Sequence, residues 1–154
     1  WDGLPAAPLR VRTVDIGDLF PISHRGTPMR TGFDQGMATR RSVLGDAHVD
    51  HADASTTAFD APFQTMITEG AWGTLWSDDT ITKRDRSMLT LALLAATGNF
   101  EEIPMHIRAT ANTGATPQDV LQAFLHVAVY AGVPKANHAI KLAKQTYAEM
   151  GTAI

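Results

Sequence analysis

The chain has 154 residues and a mass of 16.6 kDa, enough for one domain with its own core, and with 44% hydrophobic and 19% charged residues it lies outside the disordered and low-complexity ranges. A formal charge of -3 gives no positive field to attract a phosphate backbone, which argues against nucleic acid as a partner. With no cysteine, disulfides, thiolate metal sites and cysteine nucleophiles are all excluded.

Membrane association has no support in the sequence, because the longest apolar run, Met88 to Ala96 broken by Thr90, is far short of the roughly 20 residues that span a bilayer. The first residues lack the charged start and apolar stretch of a secretory signal, so a cytoplasmic location is the expectation. Residues 1–36 hold five of the 12 glycines and four of the 8 prolines and show no sustained helical period. They read as an extended arm or linker, either a native extension or the remnant of a fusion, ahead of a helical domain over residues 37–154.

From Met37 the pattern is helical, with about six helices and no strand signal. The first runs from Met37 to about Asp50 and carries Arg40, Arg41 and His48. Asp60 offers an N-cap and Pro62 a first turn for the second, in which Phe59, Phe63, Met66 and Ile67 recur at helical spacing up to Trp76. Thr82 with Asp85 opens the third, which is apolar nearly all round through Leu94, predicts burial, and stops at Gly98. The fourth spans about Phe100 to Asn112, with Pro104 near its first turn removing an amide donor. Thr116-Pro117-Gln118-Asp119 supplies N-cap, N1 proline and acidic N3 for the fifth, which reaches Tyr130. Pro134 opens the sixth, ending near Met150.

Three groups of residues could carry chemistry. On the fifth helix, Gln122, His126 and Tyr130 form one polar stripe on an otherwise apolar rod, suited to a pocket wall or a subunit seam. On the fourth, Glu102 and His106 lie one turn apart, a carboxylate beside an imidazole that titrates near neutrality; the pair serves acid–base work or is an ordinary helix-face contact. Glu69, Trp72 and Trp76 share a face of the second helix opposite Phe59 and Phe63, and that face meets a ligand or another subunit. Among Arg40, Arg41, Arg84, Arg86 and Arg108, two could clamp a carboxylate, although spacing does not say which. A dinuclear metal site would want Glu-x-x-His on two helices and two further glutamates, and the chain has only Glu69, Glu101, Glu102 and Glu149. No metal is expected.

The run Arg40-Arg41-Ser42-Val43-Leu44-Gly45-Asp46-Ala47-His48-Val49 resembles the opening of 4-carboxymuconolactone decarboxylases. So do Ile67-Thr68-Glu69 with Ala71-Trp72-Gly73, the stretch Arg86 to Ala96, His106 with Arg108-Ala109, and His126 to Pro134. The resemblance covers residues 33 to about 148. It implies the all-α alkylhydroperoxidase-D-like fold, assembled as a ring-shaped homo-oligomer, a trimer or hexamer. Redox members of that wider superfamily carry a Cys-x-x-Cys pair where Asn99 and Glu102 stand here, so peroxide reduction is excluded. Pro104 departs from the pattern, which has an ordinary helix former there.

The activity implied is loss of CO2 from 4-carboxymuconolactone, a small dicarboxylate lactone, to give the 3-oxoadipate enol-lactone of aromatic catabolism. The substrate's own unsaturated carbonyl accepts the electrons, so no cofactor is expected. On this basis His106 is the expected proton donor with Glu102 orienting it, and Arg41 and Arg86 the carboxylate clamps. His48, His126 and Tyr130 line the pocket or hold the oxyanion, and Glu69 and Trp72 border it. The alternatives are another small unsaturated or β-oxo acid on the same fold, or a non-catalytic oligomer whose polar stripe is a seam.

Overall fold

The computed structural model describes residues 32–154, so all but the last part of the expected arm lies outside the described residues. Those residues are all-α, with no strand among them. Helix α1 (Gly32–Leu44) begins earlier than the Met37 start expected, and the single helix expected through Asp50 is instead two. Gly45 takes φ 87, a left-handed conformation that costs glycine nothing, and so ends α1 before α2 (Asp46–Ser55) folds back along it. Arg41 holds the fold-back through Asp50 at 2.8 Å and Asp46 at 3.2 Å.

Helix α3 (Ala61–Ile67) runs without interruption into a π-helix, Thr68–Leu75. The wide turn is closed by bonds to the fifth residue back, as in Trp76 N donating to Ala71 O at 2.8 Å. Thr68, Trp72 and Trp76 are all buried. In an α-helix, positions four apart drift by about 40° per step, and the wider π turn reduces that drift, keeping the spaced residues in a straighter column against α1. This reverses the face expected from the sequence. Phe59 is 96% exposed, and Phe63 and Met66 are also exposed, while the tryptophans face inward with ring centroids 5.3 Å apart. Asp60 does not cap α3; its Oδ1 accepts from Thr57 N and Oγ1 and fixes the preceding turn.

Close approach is what lets α1 lie on the π-helix. A Cβ on Gly36 would fall on the Thr68 carbonyl oxygen, and one on Gly73 on the Gly32 carbonyl oxygen. Beyond the turn come α4 (Lys83–Thr97), a 3-10 turn (Phe100–Glu102), α5 (Ile103–Thr113), α6 (Pro117–Tyr130) and α7 (Val133–Glu149). The caps are those the sequence signalled: Asp85 N donates to Thr82 Oγ1, and Thr116 with Asp119 forms a complete capping box.

Two buried clusters share α5 as a wall. Leu91 of α4, Ile103 and Ile107 of α5, Phe124 of α6 and Ala139 of α7 belong to the larger one. Val43, Trp72, Trp76 and Ala109 form the smaller. The outer sides of α4 and α6 are not covered: Leu89, Leu93, Leu125 and Val129 are exposed, so α4 is not buried all round as its composition predicted. None of the helices among the described residues is long and apolar enough to cross a membrane.

Candidate active site

His106 lies in the early part of α5, between residues that serve the two clusters: Ile103 and Ile107 turn to the larger, Ala109 to the smaller. Held there, it is largely desolvated. Burial, followed by the charge of the nearby His48 imidazole, moves its pKa from 6.5 down to about 4. His106 is therefore neutral near pH 7, with one ring nitrogen donating and the other accepting. That corrects the expectation of an imidazole charged near neutrality.

Glu102 does not orient it. The carboxylate is exposed and forms no hydrogen bond with His106 among the described residues. Residues Phe100–Glu102 form a 3-10 turn and α5 starts at Ile103 with Pro104 in its first turn, so the pair straddles a junction instead of sharing one regular helix. His48, exposed on α2, is near enough for its charge to act on His106.

The neighbouring arginines of α1 diverge. Arg41, expected as a carboxylate clamp, is occupied on the surface by Asp46, Asp50 and Asp53, and the bonds to Asp50 and Asp46 raise its pKa further. Arg40 is the buried one, 6% exposed, reaching Gln64 Oε1 at 3.5 Å and Asp53 at 3.9 Å while its Nε has no partner among the described residues. Gly36, Arg40 and Val43 share the inward face at helical spacing, a signal present in the sequence that would have singled out Arg40. Arg86, the other expected clamp, is buried; its Nη2 donates to Asp78 O at 2.8 Å and Oδ1 at 3.0 Å, and its Nε has no partner among the described residues.

The remaining expected residues lie elsewhere. Trp72 is a core residue packed on Trp76, not a pocket wall, and Glu69 is on the exposed side of the π-helix. His126 and Tyr130 lie on the uncovered side of α6, their rings 6.3 Å apart and Tyr130 84% exposed, and no contact joins them to His106 among the described residues. His126 Nδ1 is 3.1 Å from the Gln122 backbone carbonyl oxygen one turn back, a contact that does not use the Gln122 side chain. Among the described residues, no group of three or more His, Cys, Asp or Glu side chains could hold a metal ion.

The model of the carboxymuconolactone decarboxylase family matches residues 61–145. A 4-carboxymuconolactone decarboxylase from Acinetobacter baylyi is 36% identical over 121 residues, covering 79% of this chain and 90% of the relative. The chain belongs to the carboxymuconolactone decarboxylase family. A nitrosuccinic acid decarboxylase from Metarhizium robertsii is 37% identical over 118 residues, 77% of this chain and 82% of its own. A second 4-carboxymuconolactone decarboxylase, from Pseudomonas putida, is 51% identical over 41 residues. These relatives are named for different acids at similar identity, so membership of the carboxymuconolactone decarboxylase family does not by itself choose the acid. The family match begins at α3: it takes in Arg86 and His106, while Arg40 and His48 precede it.

Proposed function

We propose that this protein is a cofactor-independent carboxy-lyase for a small polycarboxylic acid that carries its own electron acceptor, with 4-carboxymuconolactone the first substrate to test. The observation that carries this reading is a desolvated, neutral His106 beside His48, in a chain similar over most of its length to decarboxylases. In the reaction, the bond from the ring carbon to its carboxylate breaks and CO2 leaves. The electron pair passes through the C=C into the lactone carbonyl, and a proton then reaches carbon to give the enol-lactone.

A neutral imidazole suits this sequence. Its N–H donates to the developing enolate oxygen in a site where little water competes, and electrostatic preorganisation of this kind is commonly the largest catalytic effect. A bound dianion would also raise the His106 pKa, since a neighbouring negative charge favours imidazolium, and so supply the proton that carbon needs. Arg40 and Arg86, the buried arginines, are the cations assigned to the substrate carboxylates. His126 and Tyr130, with Leu125 and Val129, form a face for a second copy of the chain in a trimer or hexamer, through which they complete a neighbouring pocket.

Nitrosuccinic acid supports a second reading, because its nitro group is attached to a carbon bearing a carboxylate and can take the same electron pair as a nitronate. The experiment is to give the purified protein each acid in turn and follow CO2 release together with substrate absorbance. Equimolar CO2 and enol-lactone are expected from the lactone. Turnover of nitrosuccinate alone would transfer the assignment to the second reading, and turnover of neither would overturn both.

A further inference from the structure

Helix α1 lies antiparallel along α3 and the π-helix, in a register marked at successive turns. Gly32 faces Gly73, Gly36 faces Thr68, and Arg40 reaches Gln64, whose Oε1 accepts from Arg40 Nη2 at 3.5 Å. The two glycine pairs are backbone against backbone, so the side-chain pair is not free to drift. The close approach at Gly36 carries Gln64, one turn before Thr68, up to the buried guanidinium. Helix α1 also packs on α5: Val43 and Ala109 share the smaller cluster, and Asn112 Nδ2 donates to Val43 O at 2.9 Å. Asn112 lies beside Gly45 as well, so these two helices run the same way, and Arg40, a turn before Val43, lies level with the turn of α5 that carries His106.

Gln64 supplies an acceptor without a charge. Arginine has only N–H donors, so the amide oxygen must face it, and an amide neutralises none of its charge. The carboxylate nearest to hand is weakly engaged: Asp53 Oδ1 is 3.9 Å from Arg40 Nη1, beyond hydrogen-bond distance, and Asp53 is exposed and shared with Arg41 Nη2 at 3.7 Å. Arg41, by contrast, is met by Asp50 at 2.8 Å and Asp46 at 3.2 Å. Buried cations are ordinarily well paired. Arg40 is held in place but only loosely paired, which leaves an incoming carboxylate to be its strong partner.

We infer that Gln64 is the positioning residue that holds the Arg40 guanidinium by a neutral hydrogen bond and so keeps its charge for a carboxylate of the ligand. The inference rests on the decarboxylase reading in that Arg40 is there assigned to a substrate carboxylate, and it holds for either acid. A glutamate at 64 has the same reach and would take the guanidinium into a permanent ion pair. The amide at this position therefore selects for an anionic ligand, acting through Arg40 without touching the ligand itself.

The test uses adipate, a saturated dicarboxylate that carries no electron acceptor and so is bound without being decarboxylated. Calorimetry on the full chain should give saturable binding. Gln64→Glu should weaken adipate about tenfold or more and raise KM for the acid that is turned over by a similar factor, with kcat changed less than about threefold. The Tm of the free protein should stay the same or rise, because the new carboxylate pairs a buried arginine. Damage to packing cannot weaken the ligand and support the protein together. Gln64→Met, which keeps the length without acceptor or charge, should weaken adipate only about two- to threefold. Unchanged adipate binding in Gln64→Glu, equal losses in the two variants, a loss matched by a lower Tm, or no saturable binding to the wild type at millimolar adipate overturns the assignment. The expected adipate response in a protein that releases CO2 from neither acid would support the role of Gln64 and overturn the decarboxylase reading alone.

Discussion

Arg40 and Arg41 are adjacent in the chain and opposite in circumstance. One is buried with an Nε that no group among the described residues satisfies, while the other is neutralised by surface carboxylates. Arg40→Lys should therefore raise KM for a dicarboxylate about tenfold or more with a smaller effect on kcat, whereas Arg41→Lys should leave both nearly unchanged; steady-state kinetics decides. His106→Gln keeps a polar side chain of similar bulk but removes the imidazole, and turnover should fall about 10²- to 10⁴-fold. The same residue makes stability depend on pH. Its pKa is about 4 folded against 6.5 in a free imidazole, so the unfolded chain binds the extra proton between those values. The stabilisation is full above 6.5 and declines as pH falls towards 4, by up to about 3 kcal/mol. Urea unfolding at pH 7 and pH 5 should show this decline in the wild type and a weaker one in His106→Gln, and equal slopes would mean the imidazole is not held neutral. The residue type was legible in the sequence; its charge state was not, because desolvation depends on how α5 is packed within the fold, which no i, i+4 spacing reports.

At the level of single helices, the punctuation was the most legible part. Thr82 with Asp85 and Thr116 with Asp119 cap their helices as their spacing implied, since these bonds are made within four residues of chain. The face of the second helix was not legible. Both the Phe59, Phe63 and Met66 stripe and the Trp72 and Trp76 stripe are apolar, and only α1, arriving from elsewhere in the chain, decides which one is covered. The contact that decides it is backbone against backbone at Gly36 and Gly73. Gly36→Ala should lower stability by about 1–3 kcal/mol, because the Thr68 carbonyl cannot give way without disturbing the π-helix. Gly70→Ala, with open space around its Cβ, should be neutral or slightly stabilising. Denaturant midpoints compare the two, and equal losses would argue against close approach as the reason for glycine at 36.

Over the whole molecule, the uncovered sides of α4 and α6 are too apolar for a free surface. Leu89, Leu93, Leu125, Val129 and Tyr130 are all substantially exposed, and patches of this kind mark interfaces. Light scattering at micromolar concentration should find a species well above 16.6 kDa, and Val129→Glu should reduce it towards the monomer. A monomeric wild type would remove His126 and Tyr130 from any shared pocket. Activity should also survive dialysis against a strong chelator; loss on chelation and recovery with one divalent ion would defeat the cofactor-free mechanism. The excess of apolar helix surface was visible in the composition of the chain, although which side would be left bare was not.

The π-helix also limits how the gene can vary. A stretch whose turns are closed five residues back is, in effect, an α-helix that carries additional residues, so the number of codons between Thr68 and Trp76 is part of the fold. Loss of Gly70, an exposed residue whose replacement should cost almost nothing, would remove one of those residues and let the turn close as ordinary α-helix, so Trp76 should keep roughly the surface it shares with Val43 and Ala109 while the column of Thr68, Trp72 and Trp76 is broken. At this one position, substitution should be free, whereas deletion should cost the wide turn itself.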